Sequence, residues 1–404
     1  MASISGRPLI VITVGVIILI VNLPLPNISG SSEIPYEWPE AEPENYGIDV
    51  SPLEATISRG QTMPFLRSIL VIRDGVLVVE EYFNDGTRNS PFTLYSASKS
   101  FTSALIGIAF REGVFESLDQ KLIDFFPEYF TPDLDPRKKN ITLRHLLTMR
   151  AGFNFNDSAD EWIAHVKASD WVQYAIELPL LHTPGEDWHY STPQTNLLSA
   201  VLTRAANMST REFAEKHLFT PLQISIRHWH QDPQGYYTGG HEMYFVPRDM
   251  ARLGFLYLNK GVIDGKEIVP SDWVHQSLQD YAGGRVDEGM RSAFYEKTGY
   301  GFQWWLQKFV GYETFSARGH GGQFIFCIPE LDAVVVTTAS GTVFDTYPNQ
   351  FRQMIDLITA IMLTIDEDYT KQSENTPGLE IVASFILIVL IANSRRRGRK
   401  KVIG

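Results

Sequence analysis

Along this chain β-rich apolar runs give way to apolar residues at helical spacing and then return, and that double switch constrains the fold more than any other feature. Ser68 to Ile72 and Val76 to Tyr82 are β-rich runs joined at Arg73-Asp74-Gly75. An Asp-Gly pair between two such runs predicts a hairpin. After a polar loop from Asn84 to Pro91, Phe101, Ala104, Leu105, Ile108 and Ala109 mark one face of a helix that Gly113 can close. From Leu118 to about Leu218 the pattern is mostly helical with loops, with Thr142 an N-cap before Leu143 and another amphipathic helix starting around Pro247. Strands return at Tyr300 to Leu306, Phe315 to Arg318, Gln323 to Ile328 and Ala333 to Thr338, and Gln350 to Ile365 reads as a closing helix. Strands, helices and strands again describe an α+β protein, an antiparallel sheet flanked by helices plus a mostly helical lobe, and not a βαβ repeat.

Ser96 and Lys99 stand at the start of the first apolar helix. Residues three apart share a helix face, so the lysine can reach the serine hydroxyl. Serine becomes a nucleophile only when a base takes its proton, and a lysine serves once burial lowers its pKa. A helix N-terminus also offers free backbone N–H groups to a developing oxyanion. The bland alternative is an N-cap serine and a solvated lysine; the preceding hairpin and the apolar helix behind the pair favour chemistry.

Tyr95 to Arg111, with Ser96-Ala97-Ser98-Lys99, resembles the active-site helix of β-lactamase-related serine hydrolases, the group that holds class C β-lactamases, DD-peptidases, esterases and 6-aminohexanoate-oligomer hydrolases. Ile141 to Gly152, Gly239 to Gly254 and Tyr300 to Trp305 fit the same pattern in the same order, so the resemblance spans nearly all of residues 50 to 365. It implies a β-lactamase/transpeptidase-like fold and two further motifs. The family's Tyr-x-Asn matches Tyr190-Ser191-Thr192, which gives Tyr190 a share in proton transfer and puts Thr192 where Asn is common. Lys297-Thr298-Gly299 is a literal Lys-Thr-Gly, but it directly precedes Tyr300 to Trp305, an earlier strand in the family. His320-Gly321-Gly322, running into Gln323 and Phe324, is the better match to the third motif. There Gly321 and Gly322 would let an edge strand approach the substrate without a Cβ, and the N–H groups of Ser96 and Gln323 would form the oxyanion hole. His320 in place of lysine holds an anion less well, which favours esters or amides over β-lactams.

Two other residues are candidate substrate contacts: His241 in its Gly-rich stretch, and Trp188 beside Tyr190. His228-Trp229-His230 has the look of a metal pair, but a strand alternates the same way and no third ligand suggests itself, so no metal or cofactor is expected. The net charge of −12, with six basic groups in the last eleven residues, excludes a nucleic-acid partner. Cys327 is the only cysteine and reads as an apolar filler.

Residues 1–23 read as a signal peptide or N-terminal membrane anchor, built on Arg7 and the apolar run Leu9 to Val21. Residues 24–45 read as an extended linker, 46–366 as the hydrolase domain, 367–376 as a polar spacer and 377–404 as a C-terminal anchor. The tail resembles archaeal sorting signals, which implies a sorting protease as partner, with Leu379 where such tails usually carry Phe. Basic residues at both outer ends place the body on the extracellular side of the cell membrane. Sequons at Asn27, Asn140, Asn156 and Asn207 fit export. The expected activity is that of a surface-anchored serine hydrolase acting on a small ester, amide or short peptide. The alternatives are a D-amino-acid peptidase, transpeptidase or β-lactamase, and a catalytically idle binding module of the same fold.

Overall fold

The computed structural model describes residues 37–284, 295–309, 311–341 and 349–366. The expected membrane segments, most of the linker, the polar spacer and the sorting tail lie outside the described residues. Among the described residues no helix is long and apolar enough to cross a membrane.

Twelve strands are described: β1 (Leu66–Arg73), β2 (Val76–Tyr82), β3 (Phe92–Thr93), β4 (His228–Trp229), β5 (Met243–Phe245), β6 (Val262–Ile263), β7 (Lys266–Glu267), β8 (Tyr295–Tyr300), β9 (Trp305–Phe309), β10 (Tyr312–Gly319), β11 (Gln323–Ile328) and β12 (Ala333–Ala339). Seven of them form one antiparallel sheet in the order β2-β1-β12-β11-β10-β9-β8. The predicted hairpin is β1-β2, with Asp74 and Gly75 both left-handed at its turn. The chain's late strands then add to the β1 side, so the sheet closes only after the helical middle has been laid down.

The helices are α1 (Val50–Gly60), α2 (Ser98–Arg111), α3 (Leu122–Phe125), α4 (Leu143–Leu147), α5 (Ala159–Lys167), α6 (Trp171–Glu177), α7 (Thr192–Ala206), α8 (Thr210–Ala214), α9 (Thr220–Leu222), α10 (Pro247–Leu258), α11 (Ser271–Ser277) and α12 (Gln350–Thr364). Central strands bury both faces, which is why they read as continuous apolar runs. Leu70, Ile72, Ile325, Cys327, Val334 and Val336 join the core that contains α2 and α10. Ile69, Val71, Phe324, Phe326, Ile328 and Val335 join a second core with α1 and α12. Helix α2 is buried from Ser98 to Ala109, a central helix between the sheet and the helical lobe.

Two expectations need correction. The linker does not run to Asn45: Trp38 is buried, its indole meets Phe255 edge-on at 5.4 Å, and its Nε1 donates to the Arg248 carbonyl. Arg248, itself buried, binds Glu37, Glu40 and Glu80 together, so an ion network pins residues 37–40 to α10 and β2. Gly321 and Gly322, in turn, do not lie on an edge strand. They form the turn between β10 and β11, with φ of 78° and 108°, and lie against α12. A Cβ on Gly322 would stand 2.5 Å from Met354 Cγ. Their glycine identity therefore serves the left-handed turn and the approach of α12. Gly322→Ala is expected to destabilise the protein by about 1–3 kcal/mol, read as a lowered midpoint in chemical denaturation. An unchanged midpoint would contradict this packing.

Candidate active site

Short-range pairing aims Ser96. Strand β3 pairs with β5, and the Leu94 N–H donates to the Met243 carbonyl at 2.8 Å. Tyr95 then takes φ 45°, an uncommon conformation for a residue with a Cβ, at a cost of about 1–3 kcal/mol. Its ring meets His320 edge-on at 5.4 Å and its hydroxyl packs on Gly341, contacts that hold the kink. The one-turn 3-10 helix Tyr95–Ala97 leads straight into α2, so Ser96 is presented at the head of a buried helix.

Lys99 lies one turn on, and only 1% of it is exposed. Its Nζ donates to three oxygens: Ser96 Oγ at 3.0 Å, Thr192 Oγ1 at 2.9 Å and the Gly240 carbonyl at 2.9 Å. Burial lowers its pKa to about 8, opposed by the Asp157 carboxylate. The Gly240 carbonyl is held in place because Asn196 Oδ1 accepts from both the Gly239 and Gly240 N–H groups, while Thr102 donates to the Gly239 carbonyl at 2.6 Å. The Tyr190 ring sits 5.0 Å from Lys99 Nζ, with its hydroxyl near Ser96. Burial pushes this phenol above its ordinary pKa, and Asp157 adds to the shift.

At the third motif β10 runs on past its partner strand. Its register with β9 extends only as far as Ser316↔Trp305 and stops short of Ala317 to Gly319. The Gly319 carbonyl accepts from Gly322, so it turns toward β11, and Gln323 stands directly opposite Gly319. In a trans peptide the N–H points opposite to the carbonyl. The His320 N–H therefore points away from the side on which the Gly319 carbonyl meets Gly322, while the Gln323 N–H faces Gly319 inside the hairpin. Gly319 also packs against the Leu94 carbonyl, since a Cβ there would stand 2.0 Å from that oxygen. The Gln323 side chain clamps β12 instead, donating to the Ala339 carbonyl and accepting from its N–H. Lys297-Thr298-Gly299 falls on β8, the outer strand, separated from β10 by β9.

A profile of the beta-lactamase family matches residues 67–357. The chain belongs to the beta-lactamase family. The 6-aminohexanoate-dimer hydrolase of Paenarthrobacter ureafaciens is 27% identical over 300 residues, covering 68% of this chain and 72% of the relative. Among solved structures, the octameric penicillin-binding protein homologue from Pyrococcus abyssi aligns with a TM-score of 0.58 at 21% identity, over 73% of this chain and 74% of its own. EstCE1, a hydrolase with promiscuous acyltransferase activity, aligns with a TM-score of 0.59 at 18% identity, over 78% and 99%. The α+β, β-lactamase/transpeptidase-like architecture expected from the sequence is thus the observed one.

Around the Ser-Lys pair of this beta-lactamase-family chain, Trp188, Tyr190, Tyr300 and Trp305 form an aromatic wall, with Tyr190 stacked on Trp305 at 5.6 Å. Trp188 thus sits beside Tyr190, and the His241 ring packs against Trp162 and Trp171 with ring centroids at 4.8 and 5.8 Å. Burial holds the His241 imidazole neutral, far below its ordinary pKa. His228 is exposed and Trp229 buried, as strand alternation demands. Among the described residues no three His, Cys, Asp or Glu side chains are placed to hold a metal ion.

Sequence reasoning missed Asp157, which accepts from the Thr192 hydroxyl at 3.0 Å and from its N–H at 3.2 Å. The available signal was Thr192 itself, a short hydroxyl where the motif usually carries an amide. It also missed Asn196 as the brace of the Gly240 carbonyl. Because Gln323 fastens β11 to β12, Gln323→Ala is expected to cost about 1–3 kcal/mol by orphaning the Ala339 backbone. Urea denaturation checks this, and a wild-type midpoint would refute it.

Proposed function

We propose that this protein is a serine hydrolase that cleaves esters or amides through an acyl-Ser96 intermediate. The observation that carries this reading is the threefold coordination of Lys99. As an ammonium it donates to Ser96, Thr192 and Gly240. On losing the proton directed at Ser96 it keeps its two other donors in place and turns a lone pair to Ser96 Oγ. Neutral Lys99 is then the base: Oγ attacks the carbonyl carbon as its proton passes to Nζ. Tyr190 stays a phenol at neutral pH, so its part is to relay that proton to the leaving oxygen or nitrogen. The acyl–leaving-group bond breaks, and water repeats the sequence to release the acid and free Ser96.

The Ser96 N–H, at the head of α2, is one donor to the tetrahedral oxyanion. The trans Gly319–His320 peptide, whose carbonyl is turned toward Gly322, supports the His320 N–H as the second, in place of the Gln323 N–H expected from sequence. This assigns His320 by its backbone. Its side chain, an imidazole where penicillin-type enzymes carry a lysine, favours substrates without a carboxylate beside the scissile bond. A peptidase or β-lactamase activity is the less favoured reading for the same reason. Anchoring at the cell surface, with the catalytic body outside and the tail open to a sorting protease, is proposed from Arg7 and the C-terminal basic cluster alone. Protease treatment of intact cells tests it, since a protected body would refute export.

A fluorophosphonate should label the wild type and fail to label Ser96→Ala; labelling that persists in the variant would overturn the nucleophile. Because neutral Lys99 is the active form and its pKa is lowered to about 8, the labelling rate should rise with pH through that value. Short-chain p-nitrophenyl esters should turn over faster than D-amino-acid peptides or a chromogenic β-lactam. His320→Pro, which removes one N–H, should lower kcat on such an ester by on the order of 10²–10³, while His320→Ala, which keeps that N–H and loses only the ring against Tyr95, should lower it less. The reverse order would restore Gln323 as the donor.

A further inference from the structure

Resting on that reading of Ser96 and Lys99, we infer that Asp157 is a positioning residue of the nucleophile, acting on Lys99 through the Thr192 hydroxyl. The link is directional. Asp157 Oδ2 accepts from Thr192 Oγ1 at 3.0 Å, so the single hydroxyl hydrogen of Thr192 is committed to the carboxylate. The Thr192 oxygen is therefore left as an acceptor, and Lys99 must donate to it at 2.9 Å. With Thr192 and the Gly240 carbonyl both fixed as acceptors, the only direction in which neutral Lys99 can point its lone pair is toward Ser96.

The placement of Asp157 is specific. It sits at φ 51° just before α5, a conformation Asp adopts more readily than most residues. Its Oδ1 is buried although the residue as a whole is half-buried: Oδ1 has no hydrogen-bond partner among the described residues, and Oδ2 takes both groups of Thr192. Nothing in the folding of the loop requires an acid there, because Ser158 caps α5 by accepting from Glu161 N–H.

The groups that face Lys99 are few. Ser96 comes from the turn before α2, Tyr190 and Thr192 from the segment entering α7, and Gly240 with the neutral imidazole of His241 from the loop before β5. Asp157 is the carboxylate among them. Its own neighbours are Tyr190, Tyr300 and Glu161, the last held at α5 by Ser158 and the Asn156 N–H. Removing the Asp157 charge withdraws the attraction that favours the ammonium, so Lys99 should release its proton at lower pH.

The test is the pH dependence of fluorophosphonate labelling at Ser96 in the full chain, with thermal unfolding as a control for folding. Asp157→Asn keeps an acceptor for Thr192 but loses the charge, and its labelling midpoint should fall by about one pH unit or more below that of the wild type. Thr192→Val cuts the link and should lower the midpoint in the same direction, while Thr192→Ser, which keeps the hydroxyl, should restore it. A merely structural role would lower the unfolding temperature or the labelled fraction and leave the midpoint in place. Folded Asp157→Asn with the wild-type midpoint would overturn the inference and leave the acyl-serine reading intact. If Asp157→Asn does not fold, the Thr192→Val and Thr192→Ser pair decides, and equal midpoints in that pair would overturn it. A wild type that takes no label overturns the acyl-serine reading, and the inference with it.

Discussion

The buried ammonium of Lys99 is the constraint on which the rest of the site depends. Taking a charge out of water costs several kcal/mol unless its hydrogens are all satisfied. Here the three acceptors come from three separate stretches of chain: the turn before α2, the start of α7 and the loop before β5. None of those stretches is adjacent to another in sequence, so the ammonium can be satisfied only when sheet, central helix and lobe have all assembled. Misplacing any one acceptor would leave a buried N–H unpaired, and the site is therefore as well ordered as the fold around it.

The same economy explains the kink at Tyr95. A nucleophile at the head of a buried helix must be lifted toward the cleft, and the left-handed residue before Ser96 does that lifting. What keeps the strained residue in place is tertiary: His320 on its ring and Gly341 against its hydroxyl, both contributed by segments flanking the late strands. The β10–β11 turn thus holds the serine, and beside it β10 runs on past its register with β9. Those two duties explain why glycine is needed at Gly319, against Leu94, and at Gly322, against Met354.

The order of strands and helices, the first hairpin, the central helix and the nearness of Ser96 to Lys99 were legible because each rests on local pattern, while the nearness of Tyr190 to Lys99 was legible only through the family resemblance. The exact direction of backbone groups was not. Gly321 and Gly322 looked like an open edge because a glycine pair carries no sign of which residue takes the turn, and only the register Gly319↔Gln323 decides it. The end of the linker was misplaced for a related reason. Residues 37–45 are polar and proline-rich like the stretch before them, and what docks them is Arg248, more than two hundred residues away. The Gly-rich stretch around His241 carried no sign that its ring packs against Trp162 and Trp171, which come from a distant part of the chain.

Asp157 was illegible for a subtler cause. An asparagine at the place of Thr192 carries an amide oxygen that can accept from the lysine and an amide nitrogen that donates elsewhere, and the planarity of the group fixes which is which. A threonine hydroxyl both donates and accepts and can rotate, so on its own it would not hold Lys99 in one orientation. Replacing an amide by a hydroxyl creates a need for a second group that takes the hydroxyl hydrogen. A buried carboxylate is the strongest acceptor the side chains offer, and its charge acts on the ammonium at the same time. The departure from the family motif at Thr192 and the presence of an acid at Asp157 are thus one feature, divided between two stretches of chain 35 residues apart.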